Sequence, residues 1–332
     1  MIADIVVDLQ YGDCGKGKVA HDLLKKRRYT HVLRYNGGCN AGHTIFHEGK
    51  KFITRHIPVG VFFGIKSIIG FGCVLDPEQF FKELAMLEAG GVSTKGLIFV
   101  AQNTHIITQT HKDEDGGSNE RIGTTRSGNG QAYRDKYART GIRAEDVPEL
   151  KPFLIDLYEE FHRSNPVILC EGAQGFGLDI DWGVYPFVTS SHCTAGGAVL
   201  NGIPPRAVRD VWGVAKIYET YVGSRKFEPD SPIFQSICEI GEEFGSNTGR
   251  RRQCNWMSWD LLEKAVRVNG VTHVVFSKMD VLREVGVWKV LENGREIIFS
   301  DESGIKGFLT ERLRRLGIGT QNIYFSGYKD RI

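Results

Sequence analysis

Apolar runs and amphipathic stretches alternate along this 332-residue chain, and the alternation predicts strands and helices in regular succession. Short apolar runs that stop at polar or glycine-rich positions predict buried strands at 5–9, 31–35, 67–71, 97–101, 167–170, 211–217, 273–276 and 322–325. Stretches with one apolar face predict helices at 19–28, 77–89, 148–163, 256–269 and 303–316. Asp76 is the expected N-cap of the second helix. The succession favours an α/β fold with a P-loop-like (Rossmannoid), mostly parallel central sheet flanked by helices, in one domain over 1–332.

Four further segments depart from this succession. The stretch 45–56 predicts a hairpin that turns at 48–50, and 285–299 predicts a second hairpin around Asn293-Gly294. These two hairpins would form small subdomains beside the main sheet. The polar stretch 112–121 is expected to be exposed, and 222–249 shows no period and is expected to form mobile loops.

Composition and charge narrow the class of protein. Hydrophobic residues make up 41% of the chain and charged residues 25%, which predicts a soluble protein with a sizeable core. The net charge of +2 gives no basis for attraction to nucleic acid or a membrane surface, and no apolar run approaches bilayer-spanning length. The seven cysteines form no CxxC pair and follow no secretory segment, so we expect reduced thiols and a cytoplasmic location.

A glycine-rich loop at 12–18 follows the first predicted strand and precedes the first predicted helix. Glycines allow backbone N–H groups to approach an anion, and the N-terminus of a helix adds a favourable dipole. Lys16 and Lys18 add positive charge. The spacing is not that of the standard GxxxxGK[ST] P-loop, and the segment alone is equally compatible with a tight structural turn.

Further polar, glycine-containing loops follow other predicted strands, and α/β folds place ligands at such strand ends. Together the loops resemble the motifs of the adenylosuccinate synthetase family and occur in that family's order. The matching segments are GDCGKGK at 12–18, NGGCNAGHT at 36–44, IGTT at 122–125, EGAQG at 171–175, YPFVTSS at 185–191, TGRRR at 248–252 and KMD at 278–280.

This resemblance implies a condensation of IMP with L-aspartate that is driven by GTP and assisted by Mg²⁺. It also implies a homodimer with a mostly parallel central sheet. The chain is shorter than the common bacterial form and looks like a compact variant. We therefore expect it to lack some of that form's helical insertions.

The reaction needs a base and a group that stabilises the transferring phosphoryl. Asp13 could take the proton from N1 of the purine, so that O6 becomes a nucleophile, and could also face Mg²⁺. His43 could donate to the transferring phosphoryl group. Taken singly, Asp13 could be an ordinary turn acid and His43 a capping or core histidine.

The resemblance assigns the remaining site residues position by position. Arg139 resembles the arginine that crosses the dimer interface to the 5′-phosphate, and the carbonyl of Gly42 joins Asp13 as a metal ligand. A carboxylate at Asp280 accepts from guanine N1 and N2, which favours GTP over ATP. The implied GTP contacts are Gly12, Gly15, Lys16, Gly17, Lys18, Gly42, Thr44, Arg252, Lys278, Asp280, Ser326 and Gly327. The implied IMP contacts are Asp13, Lys16, Asn40, His43, Thr125, Arg139, Gln174, Thr189 and Arg250, and the implied aspartate contacts are Thr248 and Arg250.

Four positions depart from the family pattern. Asn36 stands where glutamine is frequent near the C6 oxygen, and Cys14 stands where an acidic residue is usual. The segment 222–227 lacks the VGAGPFP pattern of the ribose-facing loop, and 326–330 matches the closing STGPD only loosely.

Two other functions are compatible with the sequence. A phage-type relative joins aspartate to dGMP, although Asp13 and the Lys278–Asp280 pair favour IMP. A catalytically silent GTP-binding switch would need the first loop and the Lys278–Asp280 pair but not Thr248, Arg250 or Gln174.

Overall fold

The computed structural model describes residues 1–40, 42–118, 122–245, 249–328 and 332. Its strands are β1 (Ile2–Asp8), β2 (His31–Arg34), β3 (His43–His47), β4 (Lys50–Thr54), β5 (Lys66–Ile69), β6 (Val74–Leu75), β7 (Ile98–Ala101), β8 (His105–Ile106), β9 (Leu154–Ile155), β10 (Val167–Glu171), β11 (Val208–Lys216), β12 (Tyr218–Tyr221), β13 (Gln253–Ser258), β14 (His273–Ser277), β15 (Trp288–Glu292), β16 (Arg295–Phe299) and β17 (Ile323–Phe325). Its helices are α1 (Lys16–Lys26), α2 (Pro77–Ala89), α3 (Gln109–Ser118), α4 (Asn129–Ala138), α5 (Leu157–Arg163), α6 (Gly196–Leu200), α7 (Ile233–Ile240), α8 (Trp259–Asn269), α9 (Met279–Val285) and α10 (Glu302–Arg315).

A nine-stranded parallel sheet forms the centre of the molecule, in the order β17-β14-β11-β1-β10-β2-β5-β7-β9. Successive β1 side chains point to opposite faces, as the period of two requires. Ile5 and Val7 join an apolar cluster with α8 and α10, whereas Val6 joins a second cluster with α1 and α2. Both faces are therefore covered by helices, which confirms the predicted fold class.

Three smaller sheets accompany the main one. The predicted hairpins are confirmed as β3–β4 and β15–β16, and the latter belongs to a four-stranded sheet in the order β12-β13-β15-β16. β6 and β8 form a short parallel pair. The β3–β4 hairpin rises beside α1 and forms one wall of the candidate site described below.

Several predicted elements are wrong in kind or in length. The stretch 112–121 lies within the helix α3 as far as 118; residues 113, 114, 116 and 117 are exposed as expected, whereas Asp115 is buried. The segment 222–249, expected to be loops, contains α7, whose buried residues Phe234 and Ile237 form its apolar face.

The predicted helix 148–163 is broken into two parts. A 3₁₀ turn, Pro148–Phe153, contains Pro152, which cannot donate a backbone hydrogen bond. α5 begins only after Asp156, whose carboxylate accepts from the N–H groups of Tyr158 and Glu159. Likewise β13 extends to Ser258, so the helix predicted at 256–269 starts three residues later, at Trp259.

Candidate active site

The loop after β1 is organised by Asp8, the last residue of that strand. Its buried carboxylate accepts from the backbone N–H groups of Gln10, Gly12 and Cys14 at 3.0–3.1 Å and from Lys16 Nζ at 3.1 Å. Lys16 Nζ also donates to the carbonyl of Gln174. One carboxylate therefore folds the loop around itself and ties it to the loop after β10.

Left-handed backbone conformations shape the same loop. Gly12 and Gly15 have φ of 89° and 103°, and Asp13, which is not a glycine, has φ of 58°. Non-glycine residues adopt this region rarely because of steric crowding at Cβ. The conformation brings α1 in directly after Gly15, so that the positive N-terminus of this helix faces the loop.

His43 begins β3 and lies against two charged residues at neighbouring strand ends. Its Nδ1 contacts Glu171 Oε1, and Arg34 Nη1 lies 3.4–3.5 Å from both ring nitrogens. Burial and the Arg34 charge lower the pKa of His43, outweighing the opposite effect of Glu171. Burial alone would raise the pKa of Glu171, but His43 and Arg34 together lower it below its ordinary value.

Asp13 takes part in a chain of ion pairs that extends away from the loop. Arg252 Nη2 lies 2.8 Å from Asp13 Oδ2, and Arg252 Nη1 lies 2.7 Å from Glu243 Oε2. Glu243 also pairs with Lys216 at 2.7 Å and accepts from the Tyr218 hydroxyl at 2.7 Å. Burial by itself would raise the pKa of Glu243, but Lys216 and Arg252 lower it to about 2. The ion pair with Glu243 therefore fixes the Arg252 guanidinium, and the guanidinium in turn pairs with Asp13.

Two cavities meet at Asp13 and His43, and both residues line both cavities. The larger cavity, of about 810 Å³, lies between α1, the β3–β4 hairpin and the N-terminus of α9. The smaller, of about 260 Å³, lies between the loops that follow β1, β2 and β10 and the segment 122–130. A group transferred between molecules in the two cavities would pass these two side chains.

The residues predicted to bind GTP lie mainly around the larger cavity. Its lining includes Gly15, Lys16, Gly17, Lys18, Gly42, Thr44, Arg252, Lys278 and Asp280. Gly12 lines the smaller cavity instead. Ser326 accepts from Lys18 Nζ at 3.2 Å, and a Cβ at Gly327 would lie 3.2 Å from Asp280 Cβ, so both lie behind this lining.

The residues predicted to bind IMP gather around the smaller cavity, with one exception. Its lining includes Asp13, Lys16, Asn40, His43, Thr125, Gln174, Thr189 and Arg250. Arg139 follows α4, is exposed and lines neither cavity of the described chain. Thr248, predicted to bind aspartate, lies outside the described residues, while Arg250 lies at the edge of the smaller cavity.

Sequence reasoning missed several residues of the smaller cavity. Asp115 lines it and accepts from the Thr124 hydroxyl and the Gly128 N–H at 3.0 Å, which anchors the segment 123–128. Asn129 and Tyr11 also line it. Asp115 was missed because it lies in a polar stretch that is predicted to be exposed. The apolar period of α3 is too weak to reveal that one of its faces is buried.

The departures from the family pattern have distinct structural outcomes. The Asn36 side chain forms two hydrogen bonds with the backbone of Ala173: it accepts from the N–H at 2.7 Å and donates to the carbonyl at 3.2 Å. Asn36 lines neither cavity. Arg225, in the divergent segment 222–227, lies 5.0–5.4 Å from the ring centroids of Tyr11, Tyr221 and Phe227. The closing segment reaches the first loop, because Lys18 Nζ donates to the Tyr328 carbonyl at 3.0 Å.

Glu219 on β12 is buried, and its carboxylate accepts a hydrogen bond from the Ser258 N–H at 3.0 Å. Burial raises its pKa from 4.5 to about 8. Between these two values the folded state retains a proton that the unfolded state has released. The free energy of unfolding should therefore fall as the pH rises from about 4.5 to about 8. Above pH 8 the ionisation of Glu219 should change it little.

Glu219→Gln removes this ionisation and keeps the acceptor oxygen. We expect the melting temperature of the variant, relative to the unsubstituted protein, to rise by about 3 °C or more between pH 5 and pH 8. Differential scanning calorimetry across this range measures it. The exposed Glu239→Gln is the control, and a pH-independent difference for Glu219→Gln would contradict the assignment.

A family model described as adenylosuccinate synthetase matches residues 5–166 and 149–293. The chain belongs to the adenylosuccinate synthetase family. It is thus a ligase that forms a C–N bond, in a family that serves purine biosynthesis, depends on GTP and generally requires Mg²⁺.

Adenylosuccinate synthetases of two bacteria resemble the chain over most of its length. That of Bacteroides fragilis is 38% identical over 85% of this chain and 78% of its own length. That of Chlorobium limicola is 38% identical over 84% and 77%. Both relatives are longer than this chain.

Two solved structures share the fold. The fully ligated adenylosuccinate synthetase of Plasmodium falciparum superposes with a TM-score of 0.77 at 27% identity, covering 90% of this chain and 83% of its own. The succinoaminodeoxyadenylate synthetase of cyanophage S-2L, bound to dGMP and to dATP as an energy donor, superposes with a TM-score of 0.71 at 22% identity, covering 93% and 99%. At that identity the second likeness shows the fold alone.

The donor groups at the junction of the two cavities suit Mg²⁺. Asp13 offers a carboxylate whose side chain is 42% exposed, and Gly42 offers a backbone carbonyl on a residue that also lines both cavities. These are hard oxygen ligands, of the kind that Mg²⁺ prefers beside phosphate oxygens and water. Among the helices of the described residues, none combines the length and apolar character needed to cross a bilayer.

Proposed function

We propose that this member of the family uses GTP to join L-aspartate to IMP, with GTP in the larger cavity and IMP in the smaller one. The observation that carries the proposal is the position of Asp13 and His43, which line both cavities at their junction. A phosphoryl group moving from GTP to the purine would cross this junction.

The larger cavity suits a guanine nucleotide. The N-terminus of α1 and the ammonium of Lys18 supply positive potential for phosphates. Asp280 Oδ1 is buried and accepts no hydrogen bond from the described residues, so it is available to the N1 and N2 donors of guanine. Burial lowers the pKa of the neighbouring Lys278, whose Nζ donates to the Gly241 carbonyl at 2.6 Å.

The smaller cavity suits a purine monophosphate. Gln174 Nε2 donates to Asn40 Oδ1 at 2.8 Å, which orients both amides along the cavity wall. Thr125 and Thr189 line the same cavity, and their hydroxyls could donate hydrogen bonds to a phosphate there. Arg250 at the edge would receive a carboxylate of L-aspartate, and Thr248 is proposed for the same substrate.

The chemistry follows from these placements. Asp13 accepts the N1 proton, which makes O6 a nucleophile towards the γ-phosphoryl of GTP. His43 stabilises the charge on the phosphoryl oxygens during transfer. The amine of aspartate then attacks C6, and phosphate leaves with the former O6. Bound Mg²⁺ would be held by Asp13 and the Gly42 carbonyl and would neutralise charge on the phosphates.

The phage-type reaction, in which L-aspartate is joined to dGMP, is the second candidate. A purine 2-amino group needs space beside N1, and small residues commonly provide that space in such relatives. Here Asp13 occupies the loop and is held by Arg252 at 2.8 Å, which favours IMP.

A product assay with GTP, L-aspartate and either IMP or dGMP tests both candidates. We expect turnover with IMP at least tenfold above that with dGMP. Turnover with dGMP alone would establish the second candidate. Binding of GTP without any product from either purine would establish a catalytically silent GTP-binding switch.

Arg139 is proposed to act on the 5′-phosphate across a homodimer interface. It lines neither cavity of its own chain, yet Tyr137 and Ile142 beside it are 69% and 47% exposed, as expected of residues that a second subunit covers. Arg139→Leu should raise KM for IMP by about 10- to 100-fold and leave KM for GTP within threefold, because a charged phosphate contact is lost.

Mixing two impaired variants, and measuring product formation at an IMP concentration below the normal KM, tests whether Arg139 acts between subunits. In dimers of Arg139→Leu with Asp13→Ala, one of the two sites is intact if Arg139 comes from the partner. Random mixing should then restore about a quarter of the normal activity, as measured by product formation. No recovery after subunit exchange would place Arg139 in its own chain's site, and Arg134→Leu is the control for a neighbouring exposed arginine.

A further inference from the structure

Glu171 and Arg34 occupy equivalent positions at the ends of two adjacent strands. β10 and β2 run parallel in register, and Glu171 pairs directly with Arg34. Both side chains are almost entirely buried, with exposed fractions of 0% and 1%. A buried carboxylate and a buried guanidinium at the functional edge of a sheet are costly in desolvation, so their retention calls for a specific role.

Glu171 is held in place from two directions. Its Oε2 accepts from the backbone N–H of Val59 at 3.1 Å, and its Oε1 lies 3.7 Å from Arg34 Nη1. The Val59 bond comes from a 3₁₀ turn, Val59–Phe63, that packs against β2 and α1. The carboxylate therefore cannot rotate freely, and Oε1 is directed towards the imidazole of His43.

His43 is contacted by both charged residues. Glu171 Oε1 contacts Nδ1, and Arg34 Nη1 lies 3.4–3.5 Å from both ring nitrogens. A ring that donates Nδ1–H to a carboxylate presents Nε2 at its other end, and the carboxylate supports a proton there when Nε2 donates to an anion. His43 lines both cavities, so its outer edge is where a phosphoryl group would pass.

We propose that Glu171 is the positioning residue of His43: it sets the tautomer and the direction of the imidazole, and Arg34 balances its charge. The proposal rests on the function proposed above, in which His43 contacts the transferring phosphoryl. Neither Glu171 nor Arg34 lines the larger or the smaller cavity, so neither is placed to touch substrate there.

A double-mutant cycle tests whether Glu171 acts through His43. Glu171→Gln should lower kcat by roughly 10- to 100-fold and leave KM for GTP and IMP within threefold. In a His43→Ala background the same substitution should cost less than threefold. An equal loss in both backgrounds, or a kcat within threefold of normal for Glu171→Gln alone, would overturn the proposal.

Charge balance provides a second variant in case Glu171→Gln leaves Arg34 uncompensated and fails to fold. Glu171→Gln combined with Arg34→Met removes both buried charges together. The double variant should fold and keep the loss of kcat, because His43 still lacks its carboxylate. Recovery of normal kcat would show that Glu171 serves only to balance Arg34.

Glu83→Gln is the matched control. Glu83 is also a buried glutamate, 1% exposed, and it accepts from three consecutive backbone N–H groups, those of Arg55, His56 and Ile57, without contacting His43. We expect it to lower the melting temperature and leave kcat unchanged. Its behaviour separates a general cost of altering a buried glutamate from an effect specific to His43.

Nuclear magnetic resonance of ¹⁵N-histidine-labelled protein tests the contact without turnover. The His43 ring, identified by its loss in His43→Gln, should show a protonated Nδ1, and Glu171→Gln should shift the ring towards the Nε2–H tautomer or a mixture. An unchanged tautomer would overturn the proposal even if the enzyme proved to use a different purine. Absence of turnover with IMP and dGMP in the unsubstituted protein would instead refute the proposed function.

Discussion

Asp13→Asn should lower turnover with IMP by about 10³-fold or more, while binding of GTP and of IMP stays within a few-fold. Asparagine preserves the shape of the side chain but cannot accept the N1 proton, so O6 does not become a nucleophile. The left-handed backbone at position 13, with φ of 58°, tolerates asparagine better than most residues, so the loop should keep its fold. The loss should therefore fall on kcat.

The partial reaction localises the defect. IMP-dependent exchange of the bridging and non-bridging oxygens of ¹⁸O-labelled GTP reports phosphoryl transfer before aspartate reacts, and Asp13→Asn should abolish it. Asp22→Asn on α1, whose carboxylate pairs with Lys26 and which lines neither cavity, is the control. Turnover within tenfold of normal for Asp13→Asn would reject Asp13 as the base.

Asp280→Asn should weaken the binding of GTP by about 10²- to 10³-fold, measured as a rise in KM for GTP. This is the second large effect that we expect at this site. The buried Oδ1 makes no hydrogen bond to the described residues, so two charge-assisted bonds to guanine N1 and N2 would be lost. An asparagine would place an N–H group opposite the N2 donor, which adds a repulsive contact.

Xanthosine triphosphate provides the converse measurement. Its C2 oxygen replaces the 2-amino group of guanine and can accept a hydrogen bond from the asparagine N–H. The Asp280→Asn variant should therefore turn over faster with xanthosine triphosphate than with GTP. Glu284→Gln, exposed on the same helix α9, should leave both nucleotides unaffected. If KM for GTP in Asp280→Asn changed less than threefold, the guanine would have to bind elsewhere.

Much of the main sheet could be predicted from the chain because buried parallel strands read as short apolar runs. β1, β10, β11 and β14 all lie within three residues of their predicted bounds. α2 was predicted completely because Asp76 and Pro77 mark its start, and Asp76 accepts from the Gln79 N–H as an N-cap does. Both signals are local and need no knowledge of neighbouring strands.

Two of the missed helices were missed for different reasons. α3 is polar along most of its length, and its buried residues His111 and Asp115 have hydrogen-bond partners, so no apolar period marks the helix. α7 does have an apolar face and Gly241 as its C-cap, but it spans only eight residues within an otherwise irregular segment and has no side-chain N-cap.

The sequence by itself determined which loops carry chemistry, because glycine-rich segments after apolar runs and the order of the motifs are properties of the chain alone. Only the tertiary structure decided how those loops cooperate: that Arg252 holds Asp13, that Glu171 contacts His43, and that one junction is shared by two cavities. The physical reason is that these pairs are remote in sequence. Strand order and register bring them within reach, and local patterns of polarity do not encode either.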